Sequence, residues 1–476
     1  MSLGAKISSD ILVTMLFKVS LKIRGLVFIP LLTISLGVTD YGAFVQVNAI
    51  ASLMALVCLL GYDSGFIRFI HETEQEGALF ASLSLIALTV SVVGGLIIAV
   101  GASALAQYTL QSTAYTTLFV LGGVYVVAHS MFQLARAYYR AARQVKLYSL
   151  IEAIDVYLSV GAVAAVVLLF EGSVEHAFLA LVAVHLFITI IMFIEIWRRG
   201  KLARPVGDQV AACTRFSICA MGSIVSGSLL HKIDRILIGF FLGASAVGVY
   251  SVAYSVGQLI KLFYQPITIS FFPEFSKLWT DGEYDSIRSY MQSGIRYAAV
   301  IGVPSVAGFV LVGEDVINLL STPEVAAAGH LPLILIAAGL LFRGVGSFYS
   351  NLFYVKGTSR IPLLVQFATV IVNAVMNWLL IPIMGVVGAA LTTLVSFTCA
   401  AIVILLLWQQ HLLIIPRWKQ IGQTLLAAGC MIIVFSFVSL PWIVVVAVAP
   451  IIYFGVFIGI GGLEKQELHT AVQLLR

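Results

Sequence analysis

Charged residues are scarce in this 476-residue chain: they make up 10% of it, against about 25% in ordinary soluble domains. Hydrophobic residues make up 61% of the chain, and the mean hydropathy is +1.05. Polar stretches long enough to form an extramembrane domain are also lacking. The composition therefore excludes a soluble globular protein and predicts an integral membrane protein.

Motifs for covalent chemistry are lacking as well. There is no GxxxxGK[ST] phosphate loop, no HExxH and no GxSxG, which argues against ATP hydrolysis, zinc proteolysis and serine hydrolase chemistry. The five cysteines lie in apolar stretches without a CxxC or a Cys/His cluster, so we expect no disulfide, metal or cofactor. We expect no nucleic-acid partner, no catalytic residue and no enzyme activity.

Apolar stretches of helix length are abundant, and they predict an all-α membrane protein with about fourteen transmembrane helices. The connecting loops alternate in charge: Lys and Arg collect after the even-numbered helices, and the loops after odd-numbered helices contain none. Because cytoplasmic loops of membrane proteins are enriched in Lys and Arg, both termini are predicted to be cytoplasmic.

An internal repeat organises these helices. Leu36, Gly37 and Gly42 recur as Leu242, Gly243 and Gly248, at an offset of 206 residues. Parallel repeats of this kind form two lobes in transporters. We predict an N-terminal lobe at residues 1–197 with helices one to six, a basic cytoplasmic linker at 198–210, a C-terminal lobe at 211–410 with helices seven to twelve, and two added helices with a tail at 411–476.

Basic side chains are more frequent inside the predicted helices than buried acids. Each would cost at least about 2.5 to 3.5 kcal/mol if it faced lipid, so they must face a partner or a water-filled cavity. We predict that they line a cationic cavity that binds an anionic substrate, because Lys and Arg are natural phosphate ligands. The predicted substrate-binding residues are Lys18, Lys22, Arg24, Lys232, Arg235, Lys261 and Arg343.

The buried acids and amides suggest other roles. A transporter without an ATPase needs a gradient, and buried carboxylates are the usual proton or sodium sites. Asp155 is our first candidate for ion coupling and Asp63 the second, although Asp63 also lies close to the loop charges at a helix end. We interpret Asp234, Asn373 and Asn377 as structural, since acids pair with cations and amides hydrogen-bond between helices.

Three stretches carry a family resemblance. HKIDRILIGFFLGASAVGVYSVAYSVG at 231–257 and NAVMNWLLIPIMGVVGAALTTLVS at 373–396 resemble the multidrug/oligosaccharidyl-lipid/polysaccharide (MOP) exporter superfamily, and within it the polysaccharide-type flippases. LGVTDYGAFVQVNAI at 36–50 resembles the corresponding stretch in the first lobe of these flippases. The resemblance extends over essentially the whole chain.

The resemblance implies a function. Wzx-type flippases of this branch move undecaprenyl-pyrophosphate-linked repeat units of O-antigen, capsule or exopolysaccharide from the cytoplasmic to the periplasmic leaflet of the bacterial inner membrane by alternating access. The implied partners are this lipid-linked oligosaccharide, membrane lipids, a coupling proton or sodium ion, and glycan polymerase or export proteins. The alternatives are a lipid II flippase, then a drug/cation antiporter, and last a membrane glycan polymerase or ligase.

Overall fold

The computed structural model describes residues 25–72, 76–198, 208–414, 417–438 and 440–462. In these ranges all regular secondary structure is helical, with no strand. A helix pairs its backbone N–H and C=O groups within one segment, as the hydrocarbon interior of a membrane requires. The predicted all-α membrane fold is therefore confirmed.

The helices follow one another with short connections. In chain order they are α1 (Gly25–Ser35), α2 (Val38–Cys58), α3 (Tyr62–Phe69), α4 (Glu76–Val100), α5 (Ala102–Leu110), α6 (Thr116–Ala141), α7 (Val145–Leu169), α8 (Val174–Arg198), α9 (Asp208–Leu230), α10 (Ile233–Leu242), α11 (Ala244–Gly257), α12 (Lys261–Asp281), α13 (Tyr284–Leu320), α14 (Pro323–Val355), α15 (Arg360–Gln409), α16 (Trp418–Ser436) and α17 (Trp442–Gly459). Short 3-10 turns follow α3 and α11 and precede α6.

The number of apolar helices in the described residues agrees with the prediction of about fourteen. Twelve helical stretches of the described residues are long and apolar enough to cross a membrane, and α1 is a shorter apolar helix within the first predicted span. The 50-residue α15 is two helices: its backbone leaves helical geometry at Gly385, where φ is 60° and ψ is −139°. Pro382 lies one turn before this break and has no N–H to continue the helix.

The chain forms two compact units, and the boundary between them lies after Ser251, inside α11. In the first unit α6 packs against α2, α4 and α8, and α7 packs against α8. Its core contains Phe66, Phe80 and Tyr138 from α3, α4 and α6, with ring centroids 5.2 to 6.2 Å apart. The first unit also includes α9, which packs against α3, and α10, which packs against α2 and α5.

In the second unit α14 packs against α12, α13 and α15, and the α16–α17 hairpin packs against α13. Residues 199–207 of the predicted linker lie outside the described residues. The predicted lobe boundaries therefore stay predictions.

The repeat found in the sequence corresponds to a reciprocal helix contact within the first unit. Gly37 and Gly243 precede α2 and α11 with φ angles of 90° and 81°, a backbone conformation that favours glycine. A Cβ at Gly42 would collide with the Ala244 carbonyl oxygen, and one at Gly248 would collide with the Val38 carbonyl oxygen. Since Val38 and Ala244 are equivalent in the repeat, each copy makes the same contact with the other.

We predict that Gly42→Ala destabilises the protein. The added methyl group has to separate α2 from α11, and overpacking of this kind costs about 1 to 3 kcal/mol. Thermal unfolding of the purified protein in detergent measures the effect. The matched control is Gly161→Ala in α7, where a Cβ meets no atom within 4 Å and alanine is expected to stabilise the helix by about 0.5 to 1 kcal/mol. An unchanged melting temperature in Gly42→Ala would contradict the close contact.

Candidate functional site

The break between α9 and α10 presents two of the predicted substrate-binding cations in the first unit. Lys232 is the N-cap residue of α10, and its ammonium group donates a hydrogen bond of 2.6 Å to Ser52 Oγ on α2. Arg235 follows one turn later and donates a hydrogen bond of 3.4 Å to the His231 carbonyl oxygen. Both side chains are half-buried. The two positive charges therefore lie close together at the start of a helix.

The second unit holds the other two predicted cations that are described. Lys261, the first residue of α12, is only 8% exposed and donates a hydrogen bond of 3.1 Å to Gln258 Oε1. Arg343 lies on α14, with its guanidinium carbon 4.9 Å from the centre of the Phe397 ring. Lys261 and Arg343 thus lie on two helices, α12 and α14, that pack against each other.

At two of these positions, no carboxylate of the described residues neutralises the charge. Within the described residues, neither Lys232 nor Arg343 has a carboxylate oxygen within 4.0 Å. Lys232 is held by a hydroxyl group and Arg343 by an aromatic face, and neither partner carries a charge. Both cations retain their capacity to bind an anion.

The deep acids have partners elsewhere. Asp63, the second ion-coupling candidate, lies 3.5 Å from Arg140 at the end of α6, and Asp234 accepts a hydrogen bond of 2.6 Å from Tyr250. Asp234 is 1% exposed and lies in the first turn of α10, where a carboxylate stabilises the helix N-terminus.

Asn373 and Asn377 connect the two halves of α15 across the break at Gly385. Both side chains are fully buried. Asn377 donates a hydrogen bond of 3.0 Å to Asn373 Oδ1, and Asn373 donates one of 3.1 Å to the hydroxyl of Ser396 in the second half. The structure therefore places both amides within helix packing. Lys18, Lys22 and Arg24 lie outside the described residues, so their predicted role stays a prediction.

A buried polar cluster that the sequence did not indicate surrounds Asp155, the first ion-coupling candidate. His185 on α8 places its Nδ1 atom 3.2 Å from Asp155 Oδ1 on α7, and the two residues are 3% and 4% exposed. The ring of His129 on α6 lies 5.6 Å from the ring of His185. The i, i+4, i+7 spacing of His129, Gln133 and Arg136 places these polar residues on one face of α6, and this is visible in the sequence. Which residues of α7 and α8 face them can be known only from the folded structure.

An apolar groove lies between α13 and the α16–α17 hairpin in the second unit. Its volume is about 280 Å³, and Val300, Pro304, Met431 and Tyr453 are among its lining residues. None of the residues that line it is charged. The groove does not fit a phosphate group, but it has the chemistry to accept a hydrocarbon chain.

Comparison with known proteins identifies the family. Residues 7–279, more than half of the chain, match the family model described as polysaccharide biosynthesis protein. The chain belongs to the polysaccharide biosynthesis protein family. Residues 220–379 of this family member also match the MatE model.

Relatives and solved structures agree with that assignment. The chain is 26% identical over 408 residues to the probable flippase AglR of Haloferax volcanii, covering 84% of this chain and 83% of that protein. It is 31% identical over 127 residues to the teichuronic acid biosynthesis protein TuaB of Bacillus subtilis, covering 26% of each. The inward closed structure of the lipid II flippase MurJ is similar with a TM-score of 0.80 at 12% identity, over 96% of this chain and 99% of MurJ.

An inward-facing multidrug resistance MATE transporter of the MOP superfamily is also similar, with a TM-score of 0.67 at 14% identity over 88% of this chain and 96% of that one. At these identities the likeness to solved structures shows a shared fold. The resemblance to the MOP superfamily and the expectation of a transporter rather than an enzyme are confirmed.

We predict that Asn377→Ala lowers the stability of this family member. The variant loses its hydrogen bond to Asn373 and leaves a buried amide oxygen without that donor, which costs about 1 kcal/mol for a polar contact between membrane helices. Thermal unfolding in detergent measures the change, with Cys399→Ala as control because Cys399 is exposed on the same helix. Equal melting temperatures for the two variants would contradict a structural role for Asn377.

Proposed function

We propose that this protein flips a lipid-linked glycan from the cytoplasmic to the outer leaflet of the cell membrane by alternating access. Two relatives in Haloferax volcanii support the proposal through their names: the probable flippase AglR and the probable low-salt glycan biosynthesis flippase Agl15. The transporter fold supports it too, because that fold includes the lipid II flippase MurJ. Covalent bonds of the substrate stay intact during this movement.

The observation that carries the proposal is the surplus of positive charge in membrane helices. Lys232 and Arg343 are held by uncharged partners, and Asp234, the carboxylate nearest to Lys232 in sequence, accepts a hydrogen bond from Tyr250. A diphosphate linkage has several anionic oxygen atoms. The Lys ammonium group attracts them as a point charge, and the Arg guanidinium group donates two parallel N–H hydrogen bonds to them. We propose that Lys18, Lys22, Arg24, Lys232, Arg235, Lys261 and Arg343 bind this anionic head group.

The apolar groove beside α13 is suited to the hydrocarbon part of the same substrate. A lipid-linked glycan joins a charged, hydroxyl-rich head to a long hydrocarbon chain, so its carrier needs two surfaces of opposite character. The groove lined by Val300, Pro304 and Met431 has no charged residue in its lining. We propose that it holds a segment of the polyprenyl chain.

The specific substrate that we propose is an undecaprenyl-pyrophosphate-linked repeat unit of O-antigen, capsule or exopolysaccharide. The capsular polysaccharide biosynthesis protein CapF of Staphylococcus aureus, 27% identical over 170 residues, and TuaB support this choice by name. Lipid II is the second candidate, favoured by the TM-score of 0.80 with MurJ. We also propose that the protein lies in the bacterial inner membrane with both termini in the cytoplasm, and that glycan polymerase or export proteins act after it.

Removal of positive charge should abolish export without affecting membrane insertion. Lys261→Ala and Lys22→Ala each delete a proposed phosphate ligand, and we expect surface glycan to fall at least about tenfold, which corresponds to the loss of one charge-assisted contact of about 1.4 kcal/mol or more. Surface glycan in a deletion strain that expresses each variant measures export. Lys277→Ala is the matched control, since Lys277 is exposed in the same helix as Lys261. Full export by both alanine variants would reject the ligand assignment.

The side of the membrane on which lipid-linked repeat units accumulate distinguishes loss of a flippase from loss of a polymerase. In a strain that lacks this protein we expect single lipid-linked repeat units on the cytoplasmic face of the membrane, protected from a membrane-impermeant glycosidase added outside. In a strain that lacks a polymerase, those units would instead be on the outer face. Digestion of the accumulated units by the added glycosidase would therefore contradict the proposal. Rescue of a strain depleted of its lipid II flippase would instead identify the second substrate.

A further inference from the structure

Three small polar side chains lie between α12 and α14 of the second unit, on the two helices that carry Lys261 and Arg343. Thr268 is on α12, and Ser347 and Asn351 are on α14. The hydroxyl oxygen atoms of Thr268 and Ser347 lie 3.4 Å apart. Asn351 Nδ2 donates a hydrogen bond of 3.3 Å to the Thr268 carbonyl oxygen. These contacts bring the three side chains into one cluster.

The donor groups of this cluster are directed at main-chain carbonyl groups. Thr268 Oγ1 donates a hydrogen bond of 3.0 Å to the Tyr264 carbonyl oxygen. Ser347 Oγ donates one of 2.6 Å to the Gly344 carbonyl oxygen. A hydroxyl group has one hydrogen and two lone pairs, so both hydroxyl groups keep their capacity to accept. Asn351 Oδ1 also accepts no hydrogen bond from the part of the chain that the structure describes.

The cluster is therefore an acceptor cluster, made of Thr268, Ser347 and Asn351, and it suits a ligand that brings hydrogen-bond donors. A diphosphate at neutral pH has only acceptor oxygen atoms, which the cluster does not attract. A sugar ring has several hydroxyl donors, and an N-acetyl sugar also has an amide N–H. The acceptor cluster and the neighbouring cations thus differ in chemistry, because one binds hydroxyl hydrogens and the other binds phosphate oxygens.

The spacing along α14 fits a sugar that is bonded to a phosphate. Arg343, Ser347 and Asn351 are four residues apart, so they share one helix face at intervals of about 6 Å along the axis. Tyr264 of α12 lies against Gly344, where a Cβ would be 2.9 Å from the tyrosine ring. The acceptor cluster begins one turn after this contact on both helices. A ring attached to a phosphate at Arg343 therefore reaches the acceptor cluster.

Exposure distinguishes the acceptor cluster from polar contacts that only pack helices. Asn373 and Asn377 in α15 are fully buried. All three side chains of the acceptor cluster are half-buried instead. An acceptor that faces hydrocarbon would stay unsatisfied, which is unfavourable. The exposed side of the acceptor cluster is therefore suited to water or to a polar ligand.

We propose that Thr268, Ser347 and Asn351 form the subsite for the first sugar of the transported lipid, the ring that is bonded to the diphosphate. This inference rests on the proposed function and deepens it, since Lys261 and Arg343 bind the phosphate oxygens while the acceptor cluster binds the hydroxyl groups of that ring. A carrier lipid with a bare diphosphate brings no hydroxyl donor and leaves the acceptors without a partner. The subsite thus selects the sugar-bearing lipid over the empty carrier.

The affinity of the purified, full-length protein for two lipids tests the subsite. The probes are undecaprenyl diphosphate and undecaprenyl diphosphate that carries one N-acetylglucosamine, and native mass spectrometry gives the Kd of each. We expect the wild type to bind the sugar-bearing lipid more tightly. Ser347→Ala and Asn351→Ala should each reduce this preference about three- to tenfold, as expected for one lost hydrogen bond. The Kd of the bare lipid should not change.

Ser350→Ala is the matched control for these variants. Ser350 is also half-buried on α14, and its hydroxyl group donates a hydrogen bond of 3.1 Å to the Gly346 carbonyl oxygen. Gly346 packs against Ala401 of α15 rather than against α12. We expect Ser350→Ala to keep the wild-type preference. Ser347→Thr retains a hydroxyl group and should keep most of that preference as well.

Three results would overturn the subsite. Equal binding of both lipids by the wild type would reject it and leave the proposed function standing. An unchanged preference in both alanine variants, with a lower melting temperature, would mean that the acceptor cluster only packs helices. Binding of neither lipid by the wild type would reject the proposed function together with the subsite. The Ser347→Ala result alone decides the question when Asn351→Ala does not fold.

Discussion

An uncompensated charge in a membrane interior is the constraint on which this structure depends. The hydrocarbon phase offers no solvation, so each buried cation needs an anion, a polar partner or water. Ser52 and the Phe397 ring contact Lys232 and Arg343 but cannot cancel their charge. The acids Asp63, Glu152, Asp155 and Asp234 contact Arg140, Arg136, His185 and Tyr250, respectively. This separation of charges leaves positive sites suited to an anionic guest.

The two units contain different kinds of surface. The first combines cations at the break between α9 and α10 with an Asp and His cluster between α6, α7 and α8. The second contributes Lys261 and Arg343 on α12 and α14 and an apolar groove against α16 and α17. A carrier of a lipid-linked head group needs both kinds of surface, because one part of its substrate prefers water and the other prefers hydrocarbon.

The sequence was sufficient for the fold and for part of the candidate site. Hydropathy and the positions of Gly37 and Gly243 predicted the helices and the repeat, because both signals can be read from the order of residues without knowing which side chains meet. Asp155 was recognisable as an acid inside an apolar helix. Its partner His185 was not, since one sequence does not tell which faces of α7 and α8 meet. The contact between Lys232 and Ser52 joins residues 180 positions apart, so only the folded chain brings it together.

The reciprocal contact of Gly42 and Gly248 bears on how such a protein could arise. In this contact Val38 and Ala244, which occupy equivalent positions, each receive the glycine of the other copy. Isologous pairing of this type is the hallmark of a twofold-symmetric homodimer. A half-length ancestor with a single copy of the motif would already have possessed a self-complementary surface, and fusion of two genes would have converted that dimer into one polypeptide without a new interface.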